Sequence, residues 1–565
     1  MRVRRGEGIT LAALLLLVLG LFVFPLGLLA KVGLTDGGMP SLAPLLRALD
    51  SRSVARAAWN SLESSAVSGL GALAIGTALA LAVGLTDVRA KGPLVFGLLL
   101  PMMIPPQVTA IAWVQALGPG SPVLTWLGLA PPPGTPHPLY TPFGVMLLLT
   151  FQHAPLAFLV ALASLRALPR EMSDAARIAG ARPLRLLRRV LLPLMAPALL
   201  AGFMLAFVSA LGNFGIQAIL GIPARYPTLP VLIWRRLSAF GPSALSDVAV
   251  ISILLAAVAV AAIGLQMWLQ ARMRAAVIGP PQAPLRIALK RWRPVTEAAL
   301  ALYLAITLVL PLTALTATAL VKTYGLPLTA DTLTLSNFAE ILFRQAATSR
   351  AFANSTLTAG AASLVLAGIA ILAGYFLSRP AGLPRRAGAG IAALADISYA
   401  IPGLVISIAF ILAFIRPLPL LGLSLYNTLG IIFLAYLTAF LSIALKPVTA
   451  AFGQLDPALD DAARITGAGF GRRMLRIFAP LVAPAAASGA ILVFLTAYNE
   501  VTVSALLWST GNETIGTSIF NYEDGGYTTL AAAMSCVTVL ATVVLMLLLD
   551  RAGRHLPPGV VPWRI

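Results

Sequence analysis

The feature that most limits what this chain can fold into is its series of long apolar runs. About twelve of them reach the roughly 20 residues that a helix needs to cross a hydrocarbon layer. Charged residues make up only 11% of the 565 residues, against about 25% in soluble domains. A backbone in lipid must satisfy its own hydrogen bonds, which favours helices. The sequence therefore predicts an all-α, polytopic membrane protein with spans near residues 9–30, 60–85, 94–117, 141–165, 195–221, 248–270, 297–320, 354–377, 391–415, 428–446, 481–507 and 528–549.

The basic residues are distributed unevenly between the two sides that twelve spans define. With the N-terminus inside, 29 of the 40 Lys and Arg residues fall in inner segments. Such an excess is the usual orientation signal of cytoplasmic loops. We therefore attribute the net charge of +20 to topology and contact with anionic membrane lipid, and not to nucleic-acid binding. Both termini are predicted to be cytoplasmic.

One polar segment occurs twice, with every matching residue 287 positions apart. In each copy, acidic residues begin a short stretch of helix formers, a glycine follows, and arginines precede a proline at the next span. Acids near a helix start and a glycine at its end predict a short helix, a turn and a second helix. We predict a rigid protruding elbow in each copy, built around Asp174, Ala175, Ala176 and Gly180 in the first and Asp461, Ala462, Ala463 and Gly467 in the second.

Other landmarks repeat in the same order, which indicates an internal duplication. Asn60 corresponds to Asn354, and Ile104-Pro105 corresponds to Ile401-Pro402. Pro105 and Pro402 are predicted to kink the third span of each half. Six spans separate equivalent points, and because six is even, the two six-helix halves run parallel. We assign residues 1–270 to the first half, the basic and proline-rich residues 271–296 to a cytoplasmic linker, and 297–565 to the second half.

The spacing of the two polar segments resembles the "EAA" loop of ABC-importer permeases of the binding-protein-dependent type. Asp174 and Asp461 stand where that family usually has Glu, and Gly180 and Gly467 each precede a proline by 13 positions. The resemblance covers about 55–270 and 350–550, and the fused two-half form is most similar to ferric-iron permeases. It implies a type I importer fold in a bacterial inner membrane.

The resemblance also implies partners. In that family the two loops are coupling helices that dock on two copies of a separate ABC ATPase, and a periplasmic or lipid-anchored binding protein delivers the solute. This sequence contains no Gly-Lys dipeptide and therefore no P-loop. ATP with Mg is thus expected on the partner ATPase, and this chain is expected to be a transport subunit without catalytic residues or a bound cofactor.

Two polar residues near the end of the fifth span of each half are candidates for the translocation path: Asn213 and Gln217 in the first half, and Asn499 and Glu500 in the second. Polar groups within a membrane usually line a path or form a pair. The alternative interpretation is hydrogen bonding between helices that fixes the packing.

No metal-ligand cluster is recognisable among the three histidines and the single Cys536, and His153 is predicted to be a packing residue. Iron(III) is the first candidate solute by the resemblance, with thiamine, phosphonate and polyamine as alternatives. An ion-coupled secondary transporter would show matching intramembrane acids in both halves, but Glu500 corresponds to Phe214. A membrane-embedded enzyme would need a catalytic cluster that the sequence does not contain.

Overall fold

The computed structural model describes residues 5–36, 38–132, 134–168, 170–239, 244–273, 287–417, 422, 424–553 and 560. Within these residues, ten helices are long and apolar enough to cross a membrane. Two further pairs of helices, each bent at a short break, meet the same criteria when the two helices of a pair are taken together. Counting each pair as one span gives twelve, as predicted. In chain order, the spans are Gly6–Gly33, Arg52–Leu85, Lys91–Met103 with Pro106–Trp126, Pro142–Ala167, Pro183–Leu211, Ala244–Arg272, Lys290–Ala319, Ala346–Leu377, Leu383–Ala400 with Gly403–Phe414, Leu429–Phe452, Phe470–Tyr498 and Thr528–Ala552.

Short elements connect the spans. Among the described residues, the shorter helices are Ala43–Asp50, Arg170–Ile178, Gly215–Gly221, Leu229–Ser238, Ser336–Ala339, Ala458–Ile465, Ser504–Leu507 and Ile515–Asp524. Thr35–Asp36 pairs antiparallel with Met39–Pro40 in a two-residue hairpin, a small departure from an all-α chain.

Several predicted boundaries differ from the structure. The fifth and eleventh spans end at Leu211 and Tyr498, well before the predicted 221 and 507, because turns that follow each span begin separate short helices. Residues 290–296, assigned to the linker, form the first turns of the seventh span. Most of the remaining linker, residues 274–286, lies outside the described part of the chain.

The first span of each half packs against the other half. Leu14 and Phe22 of the first span share a buried cluster with Phe410 and Tyr436, and Thr438 Oγ1 donates a hydrogen bond to the Leu21 carbonyl at 3.1 Å. In the seventh span, Leu300 is buried with the third-span residues Leu98 and Leu99, and Leu315 with Ile111. The two halves are therefore separate segments of the sequence, but the first helix of each half packs among the helices of the other half.

Both repeated polar segments lie on one side of the helix bundle. Ala176 of the first copy packs in a cluster with Leu85, the last residue of the second span. The second copy contacts Glu7, at the beginning of the first span. The other end of that span, Gly33, lies against Ala249 near the beginning of the sixth span, which is the opposite side. We call the side that carries the repeated segments the elbow face.

Candidate functional site: two elbows and a central cavity

The two elbows have the same local geometry. We define the first elbow as residues 170–191 and the second as 458–478. Two residues after the end of each short helix stands a glycine with positive φ, +77° at Gly180 and +78° at Gly467. The next amide donates back into the helix, from Ala181 N–H to the Ala176 carbonyl at 2.9 Å and from Ala468 N–H to the Ala463 carbonyl at 3.1 Å. This is a Schellman-type ending, for which glycine is preferred. The predicted helix, turn and second helix are all present.

Each elbow carries an exposed apolar side chain where its short helix ends. Ile178 is 89% exposed and Ile465 is 86% exposed. Of the predicted coupling residues, Ala175, Asp461, Ala462 and both glycines are exposed, Asp174 and Ala176 are half-buried, and Ala463 is buried. Two equivalent segments, each with a strongly exposed isoleucine, therefore lie on the elbow face.

The second elbow is anchored by buried charges that the sequence analysis missed. We call the following residues the ion cluster: Glu7, Tyr375, Arg379, Asp460, Arg464 and Arg473. Arg464 contacts Asp460 at 2.7 Å and Glu7 at 2.8 Å, and Arg379 contacts Glu7 at 3.1 Å and also pairs with Asp460. Arg473 pairs with both acids and is fully buried.

The ion cluster joins three parts of the chain, namely the first span, the end of the eighth span and the second elbow. Burial raises the pKa of Asp460, but its hydrogen bond to Arg379 and the three arginine charges outweigh that effect and hold its pKa below the ordinary value. In the sequence, the arginines of the second elbow were the feature that could have indicated the ion cluster. Glu7 could not be found from sequence because it is hundreds of residues away.

The first elbow is anchored by apolar contacts instead. The residues 287 positions before Asp460 and Arg473 are Ser173 and Leu186, and both are buried. Leu186 packs in a cluster with Leu85 and Leu165, joined by Ala176 and Leu289. The two elbows thus share a shape but differ in what holds them.

Gly180→Ala and Gly467→Ala are each expected to weaken their elbow by about 1–2 kcal/mol, because a Cβ is strained in the left-handed region. A Cβ at either position would meet no atom within 4 Å, so the cost is conformational. The measurement is hydrogen–deuterium exchange of the elbow peptides. Gly471→Ala, at a helical glycine with equally open surroundings, is the control. Equal exchange in all three variants would contradict the prediction.

The third and ninth spans break at matching prolines, as predicted. The two parts of each span meet at 101° in the first half and 110° in the second. Pro105 and Pro402 have nearly the same conformation, with φ of −54° in both and ψ of 136° and 139°. The duplication therefore extends to the backbone at the break.

A cavity of about 440 Å³ lies between the halves, beside both breaks. Pro105 and Pro402 line it, together with Asn213, Asn499 and Glu500 among the predicted path residues. Gln217 does not line it: its side chain is fully buried, donates to the Ala210 carbonyl at 2.9 Å and accepts from Thr228. Gln217 instead ties the short helix after the fifth span to its surroundings.

Glu500 has a local structural role. Its carboxylate accepts hydrogen bonds from the backbone N–H groups of Val503 and Ser504, which begin the helix Ser504–Leu507. In the first half, Asn213 Oδ1 performs the same task by accepting from Ile216 N–H at 3.1 Å. Side-chain oxygens commonly satisfy these free amides at helix starts. Helix capping is therefore sufficient to explain an acidic residue at position 500, although Glu500 also borders the cavity.

Gln152 and His153 also line the cavity, and the sequence analysis missed them. His153, predicted to be a packing residue, is 3% exposed and its Nδ1 donates to the Leu149 carbonyl at 2.7 Å. Gln152 Nε2 donates to the Pro101 and Ile104 carbonyls at the break in the third span. That break, which Pro105-Pro106 marks in the sequence, could have drawn attention to the residues around it.

Comparisons with known proteins agree with the duplicated architecture. The family described as "Binding-protein-dependent transport system inner membrane component" matches residues 54–275 and again 369–562. A probable ABC transporter permease of Sinorhizobium fredii is 28% identical over 83% of this chain and 82% of its own length. A probable molybdenum ABC transporter permease of Haloferax volcanii is 32% identical over 44% of this chain and 84% of its own. A ferric transport system permease of Actinobacillus pleuropneumoniae is 23% identical over 97% and 79%.

Proposed function

This chain belongs to the family of binding-protein-dependent transport system inner membrane components, the permease subunits of ABC importers, and we propose that its two elbows are the docking sites for two copies of an ABC ATPase. The observation that carries the proposal is the pair of matching elbows on one face, each with an isoleucine that is almost fully exposed. Because the sequence contains no P-loop, ATP with Mg binds on the partner.

The remaining surfaces follow from that assignment. The elbow face is cytoplasmic, in a bacterial inner membrane, with both termini on that side. A periplasmic or lipid-anchored binding protein meets the opposite face and releases the solute into the cavity between the halves. ATP binding and hydrolysis shift the population between conformations that open this cavity to one side or the other. Asp174 and Asp461 contact the ATPase, and Asn213, Asn499 and Glu500 border the path.

Iron(III) is the first candidate solute, since a relative named as a ferric transport permease aligns over 97% of the chain. The relative named as a molybdenum permease aligns with 44% of the chain and supports molybdenum as a second candidate. Thiamine, phosphonate and polyamine complete the set of solutes to be tested.

The test is reconstitution of the chain with candidate ATPases and solute-binding proteins in proteoliposomes, comparing the unaltered chain with a variant that combines Asp174→Arg and Asp461→Arg. We expect the variant to lose both association with the ATPase and ATP-dependent uptake, because two charge reversals are placed in the docking surfaces. Asp331→Arg, at an exposed acid on the opposite face, is the matched control and should retain both. Association and uptake that survive in the double variant, or uptake driven by an ion gradient alone, would disprove the proposal.

A further inference from the structure

A short helix precedes the second span of each half, on the face opposite the elbows. The first copy is Ala43–Asp50, and the single residue Ser51 separates it from the second span. The second copy is residues 336–344, an α-helical turn continued by a π-helical turn, and the single residue Gln345 separates it from the eighth span. The two separating residues are 294 positions apart, the offset that also relates the second spans of the two halves. We call these two segments the outer helices.

One side of each outer helix presents exposed apolar side chains. In the first copy these are Leu42, Leu46 and Leu49, whose spacing places them on one helix face. In the second copy they are Leu335, Leu342 and Phe343. Leu46 is 60% exposed and Phe343 is 84% exposed. Grouped apolar side chains on a surface mark contact with a membrane or with another protein.

The other side of the second copy is fixed to the end of a span. Asn337 is buried, and its Nδ2 donates to the carbonyls of Ala319 at 2.9 Å and Val321 at 2.8 Å. Ala319 is the last residue of the seventh span. Ile341, one turn after Asn337, is also buried. These contacts hold the helix at the level where the seventh span ends and the eighth begins.

The first copy lies at the same kind of boundary. Pro44 and Ala48, on the side away from the exposed leucines, line a second cavity together with Val32, Val54 and Val250. These three valines belong to the end of the first span and the beginnings of the second and sixth spans. The helix is therefore level with three span ends.

The lengths of the preceding spans place both outer helices at a membrane surface. The first span has 28 residues and the seventh has 30, which is roughly 42 and 45 Å at 1.5 Å per residue. A bilayer with its headgroup regions is about 40–45 Å thick. Both spans begin at the elbow face, because Glu7 belongs to the ion cluster and Leu289 shares a cluster with Ala176. With the elbow face at one membrane surface, the outer helices lie in the headgroup region of the other.

We propose that the partner of both outer helices is the phospholipid surface, with their exposed apolar side chains inserted at the boundary between headgroups and acyl chains. Amphipathic helices bind membrane interfaces in this way. Leu49 and Phe343 are equivalent positions, so the apolar character repeats while the side-chain shape does not, as a fluid partner permits. Each outer helix then fixes the depth of the span that follows it. This surface is separate from the elbows and from the central cavity.

The experiment measures what covers each outer helix in proteoliposomes of the purified chain. In a Cys536→Ser background, Leu46→Cys and Phe343→Cys each carry a nitroxide spin label. Asp331→Cys, at an exposed acid on the same face, is the aqueous control. Leu364→Cys, at an exposed position within the eighth span, is the lipid control. The readout is the ratio of label collisions with oxygen, which concentrates in hydrocarbon, to collisions with a water-soluble nickel chelate.

We expect the ratio at positions 46 and 343 to exceed that at Asp331 by at least about three-fold, and to stay below that at Leu364, since an interfacial helix buries its apolar face only about 5–10 Å deep. The labels should not disturb the fold, because substitutions at exposed positions usually have small effects on stability.

Ratios at positions 46 and 343 that equal the Asp331 value would show that the outer helices face water, and the inference would be wrong. Labels shielded from both oxygen and the nickel chelate would show that protein covers these helices, which also overturns it. A lipid-like ratio at only one of the two positions would contradict the equivalence of the copies on which the inference depends.

Discussion

Asp460→Asn is expected to destabilise the second elbow by about 3–5 kcal/mol, since removing one member of a buried charge pair leaves its partners uncompensated. The substitution leaves three arginines of the ion cluster facing Glu7 alone, and one of them, Arg473, is fully buried. Hydrogen–deuterium exchange of residues 458–478 and thermal unfolding of the purified chain measure the effect. Asp461→Asn, at the exposed neighbouring acid, is the control and should leave the stability unchanged. Equal stability of the two variants would contradict the prediction.

The first half supplies a rescue for this variant. Asp460→Ser combined with Arg473→Leu introduces the residues found at the equivalent positions, Ser173 and Leu186. The pair removes one acid and one base together, so the remaining cluster keeps its charge balance, and a buried guanidinium is replaced by an apolar side chain. We expect the double variant to recover most of the lost stability. A double variant that is less stable than Asp460→Asn would show that the charges are not the source of the effect.

The ion cluster also gives the second elbow a defined response to acid. The pKa of Asp460 lies below its ordinary value of 3.8 in the folded chain. Its ionised form therefore contributes stability that is fully present above about pH 3.8 and is lost as the pH falls through the lower, folded value. The residue of the first elbow that is equivalent to Asp460 is Ser173, which is not an acid. The first elbow therefore lacks this loss of stability at low pH.

Ile178→Glu combined with Ile465→Glu is expected to abolish association with the ATPase and ATP-dependent uptake. Burying one such side chain is worth about 1.5–3 kcal/mol, which corresponds to about 10- to 100-fold in affinity for each elbow. A charge at either position must also lose its hydration in the interface. The fold should be unaffected because both side chains are almost fully exposed, and exposed substitutions usually change stability by less than about 0.5 kcal/mol.

Binding of the ATPase to the detergent-solubilised chain, measured by calorimetry, tests this prediction. Leu129→Glu alters a 68% exposed apolar side chain on the opposite face and serves as the control. The single variants should each lose one docking site and show intermediate binding. Unchanged binding by the double variant would show that the two isoleucines are not part of the interface.

The sequence alone was sufficient for the features that repeat or that depend on neighbouring residues. Long apolar runs determined the twelve spans, and the repeat at 287 positions located both elbows. Gly180 and Gly467 end their helices as predicted because a left-handed turn is a local property of the backbone. The prolines marked both breaks for the same reason, since the missing N–H acts within one turn.

Only the tertiary structure decided which polar residues face the cavity and what anchors each elbow. Gln217 and Glu500 proved to hold local structure together, whereas Gln152 lines the cavity beside the break. Glu7 meets Arg473 across hundreds of residues because the first span packs on the other half. Such contacts depend on how helices from distant parts of the chain interleave, and a buried charge or amide takes its role from partners that hydropathy and spacing do not specify.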